Sequence, residues 1–269
     1  MARRKLEEKT AMITGASGGI GQAITHRLVK GRGRVIGITR SRLNAEPLEG
    51  VEWVECDLSD PHAVNELLSS GEIDFGKIDS LINCAGFSDF GPIEKAPLGA
   101  DEKHLQVMLR TPIALAQAVL PQMRKLDRGS IVNVTSLAVE LPIPYLPLYN
   151  AAKAGLAGFT QSLMLDLSET AIQVVDFRPG DFKTEFYASS VVADNLSRRE
   201  TEAWDAVREK VAKGSKPERA AADLYRYLRS RNTGILRSGS WFECQVASAA
   251  ARLLPSDFMR RRILKYYGL

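Results

Sequence analysis

Residues 10–30 read TAMITGASGGIGQAITHRLVK, which has the pattern of a strand, a glycine-rich turn and a helix. Its first five residues, TAMIT, are mostly apolar or β-branched, which predicts a buried strand. Glycines follow within 15–21, and the run from 20 to 30 has the apolar spacing of a helix. A glycine turn between a strand and a helix can cradle a phosphate, because its backbone approaches the anion closely and the helix N-terminus supplies free N–H groups.

Apolar strands and helical patterns alternate through most of the remaining chain. Further strands are predicted at 34–39, at 51–56, within 77–86 with an end near Asn83, at 130–136 and at 172–180. Helices are predicted at 61–70, 101–109, 112–127, 148–169 and from Arg198 to Val211. Repeated strand–helix units predict a three-layer α/β fold, a doubly wound parallel sheet with helices on both faces. No repeat or low-complexity linker divides the chain, so we expect residues 1–269 to form a single domain.

The composition argues against several classes of protein. Hydrophobic residues make up 45% and charged residues 25% of the 269 residues, as in soluble globular proteins, and no apolar run could span a bilayer. A net charge of +4 is too small to indicate a nucleic-acid partner. Three scattered cysteines form neither a disulfide framework nor a zinc motif, so we expect a cytoplasmic protein without a metal site. No apolar segment follows the basic start, so no signal peptide is expected.

The glycine turn has the form TGxxxGxG and differs from the GxGxxG fingerprint. In this turn, and in several motifs that follow it in order, the chain resembles the short-chain dehydrogenase/reductase family. Those motifs are Asp57, Asn83-Cys84-Ala85-Gly86, Ser136, Tyr149-x-x-x-Lys153 and Pro179-Gly180-x-x-x-Thr184. The resemblance covers about the first 185 residues. It implies a single-domain Rossmann fold with seven strands, a nicotinamide cofactor, and a homodimer or homotetramer built on the helices at 112–127 and 148–169.

The resemblance also implies which residues hold the cofactor. Asp57 would accept a hydrogen bond from the adenine amino group, although the same aspartate could instead cap the helix that follows it. The turn at Pro179-Gly180 would pack on the nicotinamide, and Thr184 would bind its carboxamide. The full set of expected contacts outside the second strand is Gly15, Ser17, Gly18, Gly19, Ile20, Gly21, Asp57, Leu58, Asn83, Ala85, Gly86, Tyr149, Lys153, Pro179, Gly180 and Thr184.

The end of the second strand indicates which nicotinamide cofactor is used. NAD-binding units usually place an acidic residue there to hold the ribose 2′-hydroxyl. Residues 37–42 contain no acid and include Arg40 and Arg42, and a guanidinium pairs well with a phosphate. We therefore predict NADP(H) in preference to NAD(H), with Arg40 as the chief contact and Arg42 as a second candidate. Gly18 weakens this prediction, because many NADP-using relatives carry a basic residue at that position.

The reacting centre is predicted from three residues. Tyr149 and Lys153 lie one turn apart on the same face of the helix at 148–169. A tyrosine with a pKa of about 10 is a weak base at neutral pH, and a nearby ammonium lowers that pKa. By the resemblance, Tyr149 is the catalytic acid/base and Lys153 also holds the nicotinamide ribose. Ser136, thirteen residues before the tyrosine, would hold the substrate oxygen.

One residue departs from the family pattern. Many relatives have a fourth catalytic residue, an asparagine in a Val-Asn-Leu-like stretch, where this chain has Val107-Met108-Leu109. A thioether accepts hydrogen bonds only weakly and cannot anchor a water as an amide does. We favour an enzyme that works with serine, tyrosine, lysine and a rearranged water path. The alternative is a redox-inactive NADP(H)-binding protein that regulates a partner.

Two segments bear on the substrate. Residues 181–215 are polar and follow the sixth strand, which favours a substrate lid over a plain surface insertion. The apolar stretch 137–148 contains three prolines and is expected either to line the substrate entrance or to form a subunit contact. We therefore expect the substrate to be an apolar or bulky small molecule with a carbonyl or secondary alcohol group, to or from which a hydride is transferred.

The tail at 244–269 is the part least like the family. It contains an apolar helix at 245–254 and a basic amphipathic helix at 256–269. We expect it to pack on its own body or on a partner subunit, because one short basic helix holds a membrane weakly. A membrane-surface enzyme acting on lipid or steroid carbonyls is the remaining alternative.

Overall fold

The computed structural model describes residues 9–42 and 45–269. Its strands are β1 (Thr10–Thr14), β2 (Arg34–Thr39), β3 (Val51–Glu55), β4 (Ser80–Asn83), β5 (Asp89–Phe90), β6 (Gly129–Val134), β7 (Ile172–Pro179), β8 (Val191–Val192) and β9 (Gly234–Ser238). Its α-helices are α1 (Gly19–Lys30), α2 (Pro61–Ser69), α3 (Ala100–Leu105), α4 (Thr111–Leu126), α5 (Pro147–Asp166), α6 (Arg198–Lys213), α7 (Pro217–Ser230), α8 (Ser248–Leu253) and α9 (Ser256–Tyr266).

Seven of the described strands form one parallel sheet in the order β3-β2-β1-β4-β6-β7-β9. Successive side chains on a central strand enter two different apolar cores, as the two-residue period of a strand requires. Leu81 on β4 belongs to the core beneath α4 and α5, and its neighbour Ile82 belongs to the core beneath α1 and α7. Both side chains are fully buried. The predicted three-layer doubly wound fold is thus confirmed.

The strand order reverses between β1 and β4, which is the position where ligands bind in open α/β sheets. The loops after these two strands lie against each other. The Thr14 hydroxyl accepts hydrogen bonds from the main-chain N–H groups of Cys84 (3.0 Å) and Ala85 (3.1 Å). These bonds fix the glycine turn and the loop after β4 relative to one another.

The structure adds elements that the sequence did not locate. The seventh strand, β9, and the preceding helix α7 lie at one edge of the sheet, and β5 pairs with β8 in a separate two-stranded ribbon. Two stretches, Gln106–Arg110 and Phe242–Ala247, adopt the wider π-helical turn, so the two helices expected around 101–127 run together without a break.

Residues 1–8, where no signal peptide is expected, and residues 43–44 lie outside the described residues. Among the residues described, no helix combines the length and apolar character needed to cross a membrane.

Candidate active site

The glycine turn is shaped by two positions that admit no side chain. Gly15 has φ +67°, and a Cβ there would lie 2.9 Å from the Ala85 Cα. A Cβ on Gly21 would lie 2.1 Å from the Gly15 carbonyl oxygen. No side chain caps the start of α1, and its first turn holds no acidic residue. The turn therefore presents bare N–H groups and the positive helix dipole to an anion.

A cavity of about 1160 Å³ opens at the carboxyl ends of the strands. This volume exceeds the usual range for one drug-sized ligand and leaves room for a dinucleotide with a substrate beside it. It brings together nearly all of the predicted site residues: Gly15, Ser17, Gly18, Gly19, Ile20, Gly21, Arg40, Asp57, Leu58, Ala85, Gly86, Ser136, Tyr149, Lys153, Pro179, Gly180 and Thr184. Gly19 and Thr184, far apart in sequence, approach closely: a Cβ on Gly19 would lie 3.2 Å from the threonine side chain.

Asn83 is the one predicted site residue that does not line the cavity. Its side-chain amide donates a 2.8 Å hydrogen bond to Asn133 on β6, and Asn133 donates a 2.8 Å bond to Thr160 on α5. All three side chains are buried. Asn83 thus joins the sheet to the helix that carries Tyr149.

The second-strand end places one arginine toward the cavity and one away from it. Arg40 lines the cavity, whereas Arg42 lies outside it and pairs with Glu72 at 3.8 Å. Ser17 and Thr39 join the glycine turn to this strand through a 2.9 Å hydrogen bond between their hydroxyls. Of the two arginines, Arg40 is therefore the one that can contact a ligand in the cavity.

Asp57 and Arg40 both line the cavity, and the charge of Arg40 affects the pKa of Asp57. Burial acts to raise the pKa of Asp57, but hydrogen bonds from Ser59 and the charge of Arg40 outweigh it and hold the pKa below its usual value. Asp60, not Asp57, caps α2, accepting a 2.8 Å bond from the His62 N–H. Asp57 is thus an ionised acceptor at the cavity wall.

The three residues of the reacting centre meet at the start of α5. Tyr149 and Lys153 are 7% and 3% exposed, and the lysine Nζ lies 5.9 Å from the centroid of the tyrosine ring. The ammonium donates a 2.7 Å hydrogen bond to the carbonyl of Val134, at the end of β6. Ser136 follows two residues later and accepts a 3.0 Å bond from the Ala138 N–H, which orients its hydroxyl group.

Burial dominates the acid–base properties of this centre. It raises the pKa of Tyr149 to about 12, although hydrogen bonding with Ser136 opposes the rise. It lowers the pKa of Lys153 to about 8, against the opposing effect of Cys84 and Asp176. Burial is therefore the largest influence on the tyrosine pKa, and Ser136, Cys84 and Asp181 are the other groups that act on it. The phenol is a protonated acid at neutral pH.

Met108 lies beside Lys153. It is fully buried in the π-helical turn Gln106–Arg110. A Cβ on Gly86 would lie 3.3 Å from the methionine sulfur and 3.5 Å from the lysine Nζ. The thioether thus occupies the space next to the ammonium and gives it no strong acceptor.

An aromatic wall bounds the cavity next to Tyr149. Phe186 packs edge-on against the tyrosine, with ring centroids 5.6 Å apart, and Tyr187 packs against Phe186 at 5.0 Å. Trp204 on α6 lies 6.0 Å from Tyr187. The segment 181–215 therefore covers the reacting centre with aromatic side chains, which its polar composition did not predict.

The C-terminal segment forms a further wall that sequence reasoning missed. Apolar side chains from this segment that line the cavity are Phe242, Val246, Leu254, Phe258, Met259, Ile263, Tyr266 and Tyr267. Asp181 and Glu243 meet at the same wall: burial raises the pKa of Asp181 to about 7, and the charge of Glu243 and a hydrogen bond to it act in the same direction. The apolar residues Met259 and Ile263, four apart on α9, were the sequence signal that one face of this helix packs against the protein.

A buried ionic network supports the loop after Ser136. Arg178 pairs with Asp176 and with Glu140, and Glu140 also pairs with Arg237 at 2.6 Å. Asp176, Arg178 and the Glu140 side chain are less than 10% exposed. The sequence signal was two charged residues of opposite sign, two apart, in the otherwise apolar strand VVDFRP.

The described residues contain no group of three or more His, Cys, Asp or Glu placed to hold a metal ion. They do fit a nicotinamide dinucleotide. The glycine turn has no side chain that would block a pyrophosphate, and the same cavity is lined by the cationic Arg40 and the phenol of Tyr149.

Comparison with known proteins shows which family the chain belongs to. The family model "short chain dehydrogenase" matches residues 9–194. Dehydrogenase/reductase SDR family member 4 of Bos taurus is 33% identical over 211 residues, which cover 75% of this chain and 75% of that protein.

Two further similar proteins extend over more of the chain. The 3-ketodihydrosphingosine reductase of Bacteroides thetaiotaomicron is 27% identical over 274 residues, 98% of this chain and all of that protein. The closed form of serine dehydrogenase complexed with NADP+ superposes with a TM-score of 0.71 at 25% identity, over 86% of this chain and 94% of that one. From the family match, the ordered motifs and the shared fold, the chain belongs to the short-chain dehydrogenase/reductase family of oxidoreductases.

Proposed function

We propose that this protein is an NADP(H)-dependent oxidoreductase that interconverts an apolar carbonyl compound and its secondary alcohol, with Tyr149 as acid/base. One observation carries the proposal. Ser136, Tyr149 and Lys153 line the same cavity as the glycine turn, so a proton donor and a dinucleotide cradle share one space.

Each residue of the centre has a distinct task. When bound, the nicotinamide supplies or accepts the hydride. Tyr149 gives its proton to the substrate oxygen as that oxygen becomes an alkoxide, and it takes the proton back in the reverse direction. The Ser136 hydroxyl donates a hydrogen bond to the same oxygen. Lys153 holds the ribose, and its charge stabilises the phenolate left after transfer.

The preference for NADP(H) rests on Arg40. It lines the cavity beyond β2, and no acidic residue stands at 37–42 to repel a 2′-phosphate. The related serine dehydrogenase structure contains NADP+. A bidentate guanidinium–phosphate contact is the interaction that would separate the two cofactors.

The walls of the cavity favour an apolar substrate. Phe186, Tyr187 and the apolar side chains of α9 surround the space beyond Tyr149, and segment 181–215 acts as a lid over it. A similar protein is a 3-ketodihydrosphingosine reductase, and the substrate in that name carries a ketone. We therefore propose ketones with a long apolar chain as the first substrates to test.

The test is NADPH oxidation with a panel of ketones and aldehydes that includes long-chain members. Turnover should fall by about 10²–10⁴-fold in Tyr149→Phe, while cofactor affinity is retained. Tyr225→Phe on α7, outside the cavity, is the matched control. Turnover unchanged by Tyr149→Phe would contradict the assigned role.

The buried Met108 motivates a second candidate, a redox-inactive NADP(H)-binding protein that regulates a partner. The two proposals differ in one measurement. Tight NADPH binding without turnover of any panel member would support the regulatory protein, whereas turnover that depends on Tyr149 would exclude it.

A further inference from the structure

The cavity opens through an exposed apolar surface. Of the large hydrophobic side chains that are exposed within the described residues, seven line the cavity: Leu98, Val191, Phe242, Val246, Leu254, Phe258 and Tyr266. Trp241 and Leu253, 71% and 82% exposed, flank them in sequence. We call these nine side chains the mouth surface. An apolar surface gathered around one opening marks an interaction site, whereas scattered exposed hydrophobics do not.

Cations accompany this surface. Residues 240–269 contain five basic and two acidic residues, a balance of +3 in a chain whose formal charge is +4. Arg262 and Lys265 on α9 line the cavity. Arg260 and Arg261 directly precede Arg262 in the sequence. Within the described part of the chain, Arg261, Arg262 and Lys265 make no ion pair. Positive charge is therefore concentrated, and left uncompensated, where the apolar side chains are exposed.

The helix that carries these cations is fixed in place. Lys210 on α6 lies 3.3 Å from the centroid of the Tyr266 ring, and Tyr267 is only 8% exposed. Met259 and Ile263 face inward and are partly buried, whereas Phe258 is 44% exposed. The helix thus packs Met259, Ile263 and Tyr267 toward the protein, while Phe258 and the arginines are exposed to solvent at the edge of the cavity.

We propose that the mouth surface docks on an anionic phospholipid bilayer, so that an apolar substrate enters the cavity directly from the lipid. Exposed Trp, Phe and Leu side chains beside Lys and Arg are the composition of a helix that lies in the bilayer interface. Phospholipid headgroups supply the negative charge that the unpaired cations lack. Only the delivery of substrate rests on the function proposed above; the docking itself does not.

A second copy of the chain is the competing occupant of this surface. A two-fold interface brings the same patch of each subunit together. In such an interface the cations of residues 260–265 would face an identical set of cations. The two acidic residues of the segment, Asp257 and Glu243, already contact Arg260 and Ser240. Charge complementarity therefore favours the bilayer.

The experiment is flotation of the full-length protein with phosphatidylcholine vesicles, with and without phosphatidylglycerol. We expect binding to the vesicles that contain phosphatidylglycerol, weak binding to phosphatidylcholine alone, and a loss of binding at high salt. Arg261→Gln combined with Lys265→Gln should weaken binding about fivefold for each cation removed. Trp241→Ser combined with Phe258→Ser should weaken it at least tenfold.

The matched control combines Lys125→Gln with Leu126→Ser, on exposed positions at the opposite, amino-terminal edge of the sheet. It should bind vesicles like the wild type. Thermal unfolding shows whether each variant is folded. Light scattering distinguishes the competing occupant: if Trp241→Ser with Phe258→Ser converts an oligomer to a monomer and the wild type never floats, the proposal is overturned.

The two proposals can fail separately. Tyr149→Phe should bind vesicles like the wild type while losing turnover. Vesicle binding without turnover of any ketone would leave the docking intact and overturn the reaction. Turnover by a protein that does not bind vesicles containing phosphatidylglycerol would leave the reaction intact and overturn the docking.

Discussion

Glu140 and Arg237, 97 residues apart in the chain, are joined by hydrogen bonds of 3.1, 3.2 and 2.6 Å. Arg178 pairs with the same carboxylate from the neighbouring strand, and Arg252 of α8 reaches it at 3.4 Å. One carboxylate therefore ties the loop after Ser136 to the sheet edge and to the C-terminal segment.

Replacing Glu140 with glutamine leaves buried guanidinium groups without their counter-charge. We expect Glu140→Gln to lower the free energy of unfolding by about 3 kcal/mol in denaturant titrations. Glu202→Gln, which removes the exposed pair with Arg198, should change it by less than about 1 kcal/mol.

The same carboxylate should make the stability of the folded protein depend on pH. Burial acts to raise the pKa of Glu140, but hydrogen bonding and the arginine charges outweigh it, so the folded-state pKa lies below the unfolded value of 4.5. Its stabilising contribution is then present above that value and is lost as the pH falls through the folded-state pKa. The stability gap between wild type and Glu140→Gln should narrow below pH 4, and a constant gap would contradict this.

The glycine turn predicts opposite outcomes for two similar substitutions. Gly21→Ala sets a methyl group 2.1 Å from the Gly15 carbonyl oxygen, so the turn must open and NADPH binding should be lost. Gly18→Ala meets no atom within 4 Å and should leave the NADPH dissociation constant within about threefold. Fluorescence titration with NADPH measures both, and equal effects would show that the turn is not the cradle.

Lys153 should make the stability of the cofactor-free protein depend on pH. Its pKa is about 8 in the folded protein against 10.5 for the free side chain, so folding releases a proton between these values. Burial of the lysine therefore costs most below pH 8 and progressively less above it. Relative to Lys153→Met, the wild type should gain about 2 kcal/mol in unfolding free energy from pH 7 to 9.5. The exposed Lys125→Met is the control, and a difference that does not change with pH would contradict the prediction.

Cofactor choice can be tested on the two arginines after β2. Arg40→Ser should raise the dissociation constant for NADPH about tenfold or more and leave that for NADH nearly unchanged, because only the former has a 2′-phosphate. Arg42→Ser, whose guanidinium pairs with Glu72 away from the cavity, should alter neither. Equal losses for both cofactors in Arg40→Ser would place the 2′-phosphate elsewhere.

Substitutions of Met108 can show whether this residue contributes to packing or to catalysis. Met108→Leu preserves volume, so we expect stability within about 1.5 kcal/mol of wild type and kcat within about threefold, since no hydrogen bond from sulfur is used. Met108→Asn should lower stability by about 2 kcal/mol, because an amide replaces a fully buried apolar side chain. A large loss of kcat in Met108→Leu would mean that the thioether takes part in proton transfer.

The elements that were predicted correctly are those whose sequence pattern lies within one continuous stretch of the chain. β1, the glycine turn and α1 occupy consecutive residues, so strand pattern, glycines and helix period could be read together. α7 also carried a readable pattern, with proline in its first turn and buried residues at 220, 221, 224 and 228, and was overlooked. β9 gave a weaker signal, because GILRS is short and only half-buried.

The properties that could not be predicted depend on contacts between distant segments. The carboxylate of Glu140 meets Arg237 only because β7 and β9 pair. The raised pKa of Tyr149 depends on how deeply Phe186 and its neighbours bury the phenol, which the spacing of tyrosine and lysine does not state.

The C-terminal wall lies wholly outside residues 9–194, the part that the family model matches. Under the function proposed above, part of the substrate wall is thus encoded apart from the glycine turn that would hold the dinucleotide. Grafting another relative's last thirty or so residues onto this chain, with the arginine that meets Glu140 retained, should redirect which ketones are accepted while leaving NADPH affinity as it was.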